Sequence, residues 1–327
     1  MRPLSVVVLL AWVALLPRVA AESQAPATPE ARAIAFLAKD LPKWRSVNGC
    51  ASCHNHGDGA RALALAAARG HDVGPALADA LAFLQEPSRW SANKGHAADE
   101  ALARLQFAAA LAAAGERDLR PAEPLIAAGK TLLADQQPDG SWTPIAADAP
   151  GTPLTWGTAV ATWMARSTLI ASGREPDDFA VAQTDRWLRI VEPATVTDAA
   201  GVILGLGVTS DVMADKQRAQ ALNLIRFAQR DTGGWGHEPN AATATAFDTA
   251  LVLLALQQLE SDPRLARSTY RVEELGAAID KGRAFLVGLQ QPDGSWPETT
   301  RTGRPSGAQR VSTTAWALQA LVSRGSR

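Results

Sequence analysis

Gln136 to Trp142 reads QQPDGSW, and Gln290 to Trp296 reads QQPDGSW again. A third stretch, Gln229 to Trp235, reads QRDTGGW and keeps Gln and Trp at the same separation. A weaker echo, one residue shorter, runs from Gln85 to Trp90. Pro and Asp-Gly shape a tight turn, and Gly supplies the positive φ such a turn needs. Gln hydrogen-bonds exposed backbone at a helix end, and Trp offers a large flat surface to the next element. A seven-residue identity inside one chain marks internal repetition.

Outward from these turns, the chain is built of helix-forming segments. Apolar, mostly alanine-rich segments run over 60–69, 101–114, 158–172, 197–206, 249–259 and 312–323. Ala and Leu favour helix, and these segments are too apolar for a solvated face. Several end near a glycine able to take the left-handed cap conformation: Gly70, Gly115, Gly173, Gly207 and Gly325. A more polar, amphipathic segment precedes each one, over 29–44, 75–85, 121–135, 177–190, 216–230 and 272–289. The pattern predicts six helix pairs at a mean period of about 50 residues, within the range of repeat architectures. Small residues over 108–114 and 201–207 fit either close helix packing or the wall of a wide cavity.

Composition agrees with a helical globular chain. The 327 residues are 47% hydrophobic and 20% charged, with a formal net charge of −1. No basic stripe points to nucleic acid. Two Cys exclude a disulfide-rich scaffold, and ten Trp against one Tyr suit a motif built on Trp. Residues 1–21 read as an export signal: Arg2, an apolar run from Leu4 to Leu16, and Val19-Ala20-Ala21 before Glu22. The alternative is an uncleaved anchor, although the apolar run falls short of the ~20 residues that span a bilayer. Cleavage leaves one domain over 22–327 in a periplasmic or secreted protein, with no further stretch apolar enough to be transmembrane.

The run Lys281-Gly282, Phe285-Leu286, Gln290 and Gly294-Ser295-Trp296, followed by Thr314-Ala315-Trp316-Ala317-Leu318, resembles the QW repeat of squalene-hopene cyclases. The resemblance is strongest over 121–327. It implies an all-α (α/α)6 toroid of the terpenoid cyclase and prenyltransferase type, with inner helices around an apolar axis. Those cyclases protonate an alkene with an Asp-rich D-x-D-D-T-A motif. Thr245-Ala246-Phe247-Asp248-Thr249-Ala250 falls in the corresponding place, with Phe247 where the family's proton donor stands. Asp248 is therefore either a lone candidate acid or a charge that complements a helix N-terminus. The resemblance also implies that a full cyclase has two such domains, about twice this chain. A prenyltransferase-type zinc site needs a Cys on an inner-helix end, and no Cys follows Cys53. The C-G-E-Q run of complement-type thioester toroids is absent as well.

Cys50-Ala51-Ser52-Cys53-His54 is a C-x-x-C-H motif, the attachment pattern of c-type haem. There the thiols bond the macrocycle and the His ligates iron. The wider run over 49–59, GCASCHNHGDG, resembles the haem loop of small c-type cytochromes and falls in the loop of the first pair. A sixth ligand would come from His71, His96, His237, Met164 or Met213. Two other readings stay open: a Cys50–Cys53 disulfide, and zinc held by Cys50, Cys53, His54 and His56.

Phe107, Trp156, Trp163, Phe247 and Trp316 lie on or beside the apolar second helices. In a toroid they line an axial cavity suited to an isoprenoid or other lipid, or they fill a packed core. Three functions follow. One is a haem-bearing redox protein with a partner protein and an apolar ligand. Another is a non-catalytic lipid- or protein-binding toroid. The third is a divergent isoprenoid-modifying enzyme using Asp248.

Overall fold

The computed structural model describes residues 27–49, 51–92, 100–116, 122–144, 151–207, 209, 211–261, 272–301, 304 and 307–323. The leader-like residues 1–21, Cys50 and His96 lie outside them. Among the described residues the regular structure is helical, without strands. The outer helices are α1 (Pro29–Asn48), α3 (Ala76–Leu84), α5 (Glu123–Leu132), α7 (Phe179–Ile190), α9 (Val212–Ala228) and α11 (Val272–Gly288). The inner ones are α2 (Cys53–Ala68), α4 (Glu100–Ala114), α6 (Thr158–Ala171), α8 (Val196–Leu206), α10 (Ala246–Ser261) and α12 (Arg310–Val322).

The inner helices touch in the order α2, α4, α6, α8, α10, α12, and α12 returns to α2. This closed ring, with the outer helices packed on it, is the (α/α)6 toroid. Apolar character sorts the two rings. Residues 311–322 of α12 are all buried, whereas outer α9 leaves Phe227 86% exposed. The small residues of α8 serve close packing, since a Cβ on Gly201 would lie 2.8 Å from the Ala159 carbonyl carbon of α6.

The repeated turns are clips between neighbouring outer helices. The indole N–H groups of Trp142, Trp235 and Trp296 donate to Leu132, Ile225 and Leu286, each ten residues back on the preceding outer helix. The backbone N–H of each Trp donates to a Thr hydroxyl on the following inner helix, at 3.0 Å in all three. The Gln side-chain amides reach forward to Ala180 of α7, Ala278 of α11 and Pro29 of α1. Gly140, Gly233 and Gly294 have φ of 95°, 91° and 90°. A Cβ there would overlap the backbone of Gln183, Lys281 or Arg32. The last clip therefore ties the end of α11 to the start of α1, and ring closure is written in the same motif as propagation.

The largest boundary shift is in α2, which begins at Cys53 rather than near residue 60. Of the CxxCH motif, Cys53 and His54 accordingly open a helix, and Ala51 and Ser52 precede it. Ser52 caps it by accepting from Asn55 N–H at 3.3 Å. The two glycines that suggested a loop are packing residues. A Cβ on Gly57 would sit 2.9 Å from the Gln106 carbonyl oxygen of α4, and one on Gly59 would sit 2.8 Å from Leu41 Cδ1 of α1. At Gly57 the α4 backbone leaves no room for a side chain, and at Gly59 Leu41 would have to move aside.

Candidate functional site

Six side chains meet on the axis. Trp316 of α12 is at the centre, fully buried. Phe247 of α10 and Trp156 meet it edge-on, with centroids at 5.2 and 5.8 Å and interplanar angles of 85° and 87°. Trp163 of α6 approaches at 6.4 Å. Trp156 precedes α6 with φ of 57°, a left-handed backbone for a bulky residue that costs about 1–2 kcal/mol. Surrounding packing holds that strain and delivers the indole to the axis.

Into this aromatic cage projects Arg61 of α2. Its Cζ lies 4.1 Å from the Trp316 centroid and 5.4 Å from that of Trp156. The guanidinium is only 3% exposed. Burial lowers its pKa to about 10, so it stays cationic at neutral pH. Its Nη1 donates to Met164 Sδ at 2.9 Å. One turn earlier on α2 is Asp58, fully buried, whose Oδ2 accepts from Ser312 Oγ and, at 3.1 Å, from Trp316 Nε1. Asp58 Oδ1 stands 3.9 Å from Arg61 Nη2. Burial raises the Asp58 pKa to about 7, against the opposing pull of Arg61 and then Ser312.

Inner-helix faces below the cage are more open. Leu65, one turn past Arg61, Trp163, and Leu254, two turns past Phe247, are half-buried, and Ser167 is exposed. At the other end the axis is closed by the buried Thr152, Thr155 and Thr299. Exposure of these residues thus rises toward the C-terminal ends of the inner helices.

Of the residues expected to line a cavity, Trp156, Trp163, Phe247 and Trp316 converge. Phe107 does not. It packs on Phe83 of α3 and on Trp90, at 5.5 and 5.4 Å, between the two rings. Its position on α4 faces the outer layer, so it belongs to the wall. Asp248, fully buried near the start of α10, accepts from Arg301 Nη2 at 2.8 Å and Nη1 at 3.2 Å, and from Thr245 Oγ1 at 2.8 Å. It is the carboxylate of an ion pair that holds the loop containing Arg301, whose Nη2 also reaches the Gly151 carbonyl.

His54 is engaged by protein groups, and Cys50, the first thiol of the motif, lies outside the described residues. His54 Nε2 is 3.1 Å from the Ala308 carbonyl oxygen, which requires a proton on that nitrogen. Nδ1 is turned toward Ser52 Oγ at 3.4 Å and Cys53 Sγ at 3.9 Å. The ring is 8% exposed, with Trp44 set edge-on against it. Burial takes its pKa down to about 4, with the Ala308 bond pulling the other way. His56 is buried too, and its Nδ1 accepts from Ser52 N–H at 3.1 Å. Its pKa also falls to about 4, through burial, then Arg45 and His54. Met164 is occupied by Arg61, His237 Nδ1 pairs with Thr197 Oγ1 at 3.0 Å, and Met213 is 47% exposed on α9. His71 follows the far end of α2, about 25 Å along the helix from His54. Among the described residues no three His, Cys, Asp or Glu gather as a metal site.

Asp58, Arg61 and Ser312 were not singled out in the sequence. Reading 53–59 as loop hid the fact that Asp58 and Arg61 are i,i+3 on an otherwise buried helix, the spacing of a facing pair.

No family model matches the chain, and no curated protein matches it. Solved structures do. The type II terpene cyclase MstE from Scytonema, without ligand, superposes with a TM-score of 0.59 at 16% identity, over 90% of this chain and 97% of that one. An arginine-to-alanine variant of MstE in complex with geranylgeranyl dihydroxybenzoate, its substrate, gives 0.55 at 15% identity, with the same coverages. A tyrosine-to-phenylalanine variant gives 0.53 at 17%, over 90% and 96%. The fold is that of type II terpene cyclases. Because a single toroid spans 97% of the MstE chain, the expectation that a cyclase needs two domains does not hold.

Proposed function

We propose that the protein is an exported toroid that takes up an isoprenoid-type chain through the more exposed end of its axis and does not cyclise it by alkene protonation. The residues after Arg2 support export. The fold, the aromatic axis and a neighbour crystallised with a geranylgeranyl substrate support the ligand class. One observation carries the absence of cyclisation: the aromatic cage already holds a cation, Arg61, 4.1 Å from the Trp316 centroid. Ring faces attract positive charge, and here that attraction serves the protein's own guanidinium. A carbocation formed about 5 Å from it is opposed by about 3 kcal/mol at an effective dielectric of about 20. That slows the step roughly 100-fold. Neither nearby carboxyl is placed as a strong proton donor. Asp248 is engaged by Arg301, and Asp58, at about 7, is a weak acid. Phe247 occupies the position of the motif's central acid.

The test is titration of the protein with farnesol and geranylgeraniol, read by Trp fluorescence and by mass spectrometry of extracted products. Saturable quenching that is weakened in Trp163→Ala, with recovered alcohol unchanged, is the expected result. Absence of binding, or a cyclised product lost in Asp58→Asn, overturns the reading.

A further inference from the structure

The axial polar pair is incompletely bonded. Arg61 Nε and Arg61 Nη2 are buried without a hydrogen-bond partner, while the neighbouring Trp156 indole is directed at the Asp58 carboxyl. Buried polar atoms are almost always satisfied, so an unbonded guanidinium edge marks a missing group. Both atoms are N–H donors. Nε and Nη2 form one edge of the guanidinium, the fork that grips a carboxylate through two parallel bonds. A group completing that edge must be rich in acceptors, and an ionised carboxyl accepts at both of its oxygens. It would also compensate a buried cation whose present counter-charge, Asp58, stands 3.9 Å away, beyond hydrogen-bond distance.

We infer that Arg61 anchors the carboxylate head of a long-chain apolar acid, with the chain running out past the half-buried Leu65, Trp163 and Leu254. This rests on the proposed binding of an apolar chain and specifies which chain. Arg61 and Leu65 are one turn apart on α2, and half-burial begins at Leu65. A ligand entering from the more exposed end therefore goes in head first. The helix from Arg61 to Ala68 spans about 10 Å, so the inner part of the tail lies in the protein and the rest extends beyond it.

The experiment compares farnesoic acid with farnesol, which share one chain and differ in the head, by fluorescence or calorimetric titration of the full-length protein. The acid is expected to bind roughly 10- to 100-fold tighter. The ratio should fall to about one in Arg61→Met and to an intermediate value in Arg61→Lys, which keeps the charge and loses the fork. Equal affinity of acid and alcohol in the unaltered protein overturns the anchor and leaves the binding function standing. Failure of both to bind removes both. A preference for the acid that persists in Arg61→Met also overturns the anchor. Should the Met variant not fold, carboxyl-labelled farnesoic acid on the unaltered protein decides by NMR. A carboxyl resonance shifted from its free position, with contacts to Trp316 protons, supports the anchor, and an unshifted one refutes it.

Discussion

The periphery and the axis of this toroid obey different rules. At the periphery three clips carry the same bonds to within a few tenths of an ångström: Trp indole to carbonyl at 3.1, 2.8 and 2.7 Å, and Trp backbone to Thr at 3.0 Å each time. At the axis nothing repeats. α2 contributes Asp58 and Arg61, α10 contributes Phe247, α12 contributes Ser312 and Trp316, and a strained Trp156 enters from a loop. Periodic residues build the ring because each repeat meets the same neighbour. The axis is the one region where all six inner helices face one another, so each position there is unique and free to carry function. The difference also explains how the fold of a terpene cyclase can enclose an axis with its own set of residues, Asp248 being held by Arg301.

The sharpest way to break the comparison is to remove a clip. Trp296→Ala takes a fully buried indole and its hydrogen bond to the Leu286 carbonyl from the joint that ties α11 to α1. A loss of about 3–5 kcal/mol is expected, measured from the denaturant midpoint. Trp163→Ala, half-buried at the axis, should cost clearly less, and equal losses would erase the distinction. Next comes Asp248→Ala. It leaves Arg301 without its buried partner and should cost about 3 kcal/mol. If Asp248→Asn instead abolished a turnover of a polyprenyl substrate while leaving the fold intact, the residue would be more than a structural anion. Gly294→Ala forces a side chain onto a φ of 90° and into the backbone of Arg32. About 1–3 kcal/mol is expected, and the melting temperature reads it directly.

A smaller effect is the pH dependence of stability. His54 and His56 titrate at about 4 when folded, against an ordinary 6.5. The unfolded chain thus binds more protons at these two sites between about 4 and 6.5, and stability rises with pH across that window. Asp58 acts in the opposite sense. Its folded value of about 7 lies above the ordinary 3.8, so the stability it contributes declines as pH rises over that range. Two imidazoles outweigh one carboxyl, and the net change is a rise. Asp58→Asn should steepen it, as denaturant midpoints at pH 4.5, 5.5 and 6.5 will report. A flat profile in both proteins would mean that these groups are not buried as described. The smallest expected change is Gly288→Ala at the end of α11, where nothing lies within 4 Å of the added carbon. It should be neutral or stabilise by up to about 0.5 kcal/mol.

Reading the sequence recovered the twelve helices and their pairing because apolar periodicity and turn chemistry are local. Within the site, legibility was uneven. Trp156, Trp163, Phe247 and Trp316 stood out as large apolar residues on apolar helices. Phe107 looked the same and faces the wall, because which face of α4 meets α3 is not a property of α4 alone. The glycines around Asp58 read as a loop, and only Gln106 and Leu41 pressed against them explain a helix there.

The sequence by itself determined the ring: a repeated Gln-to-Trp turn, helices of alternating polarity, and enough repeats to close. Only the tertiary structure decided what the ring encloses. Arg61 and Asp58 lie within one helical turn of each other, yet their chemistry depends on Trp316 and Ser312, more than 250 residues away. A charge acquires its pKa and its bonding from what surrounds it in space. Across the axis of a toroid, those surroundings come from helices far apart in the chain.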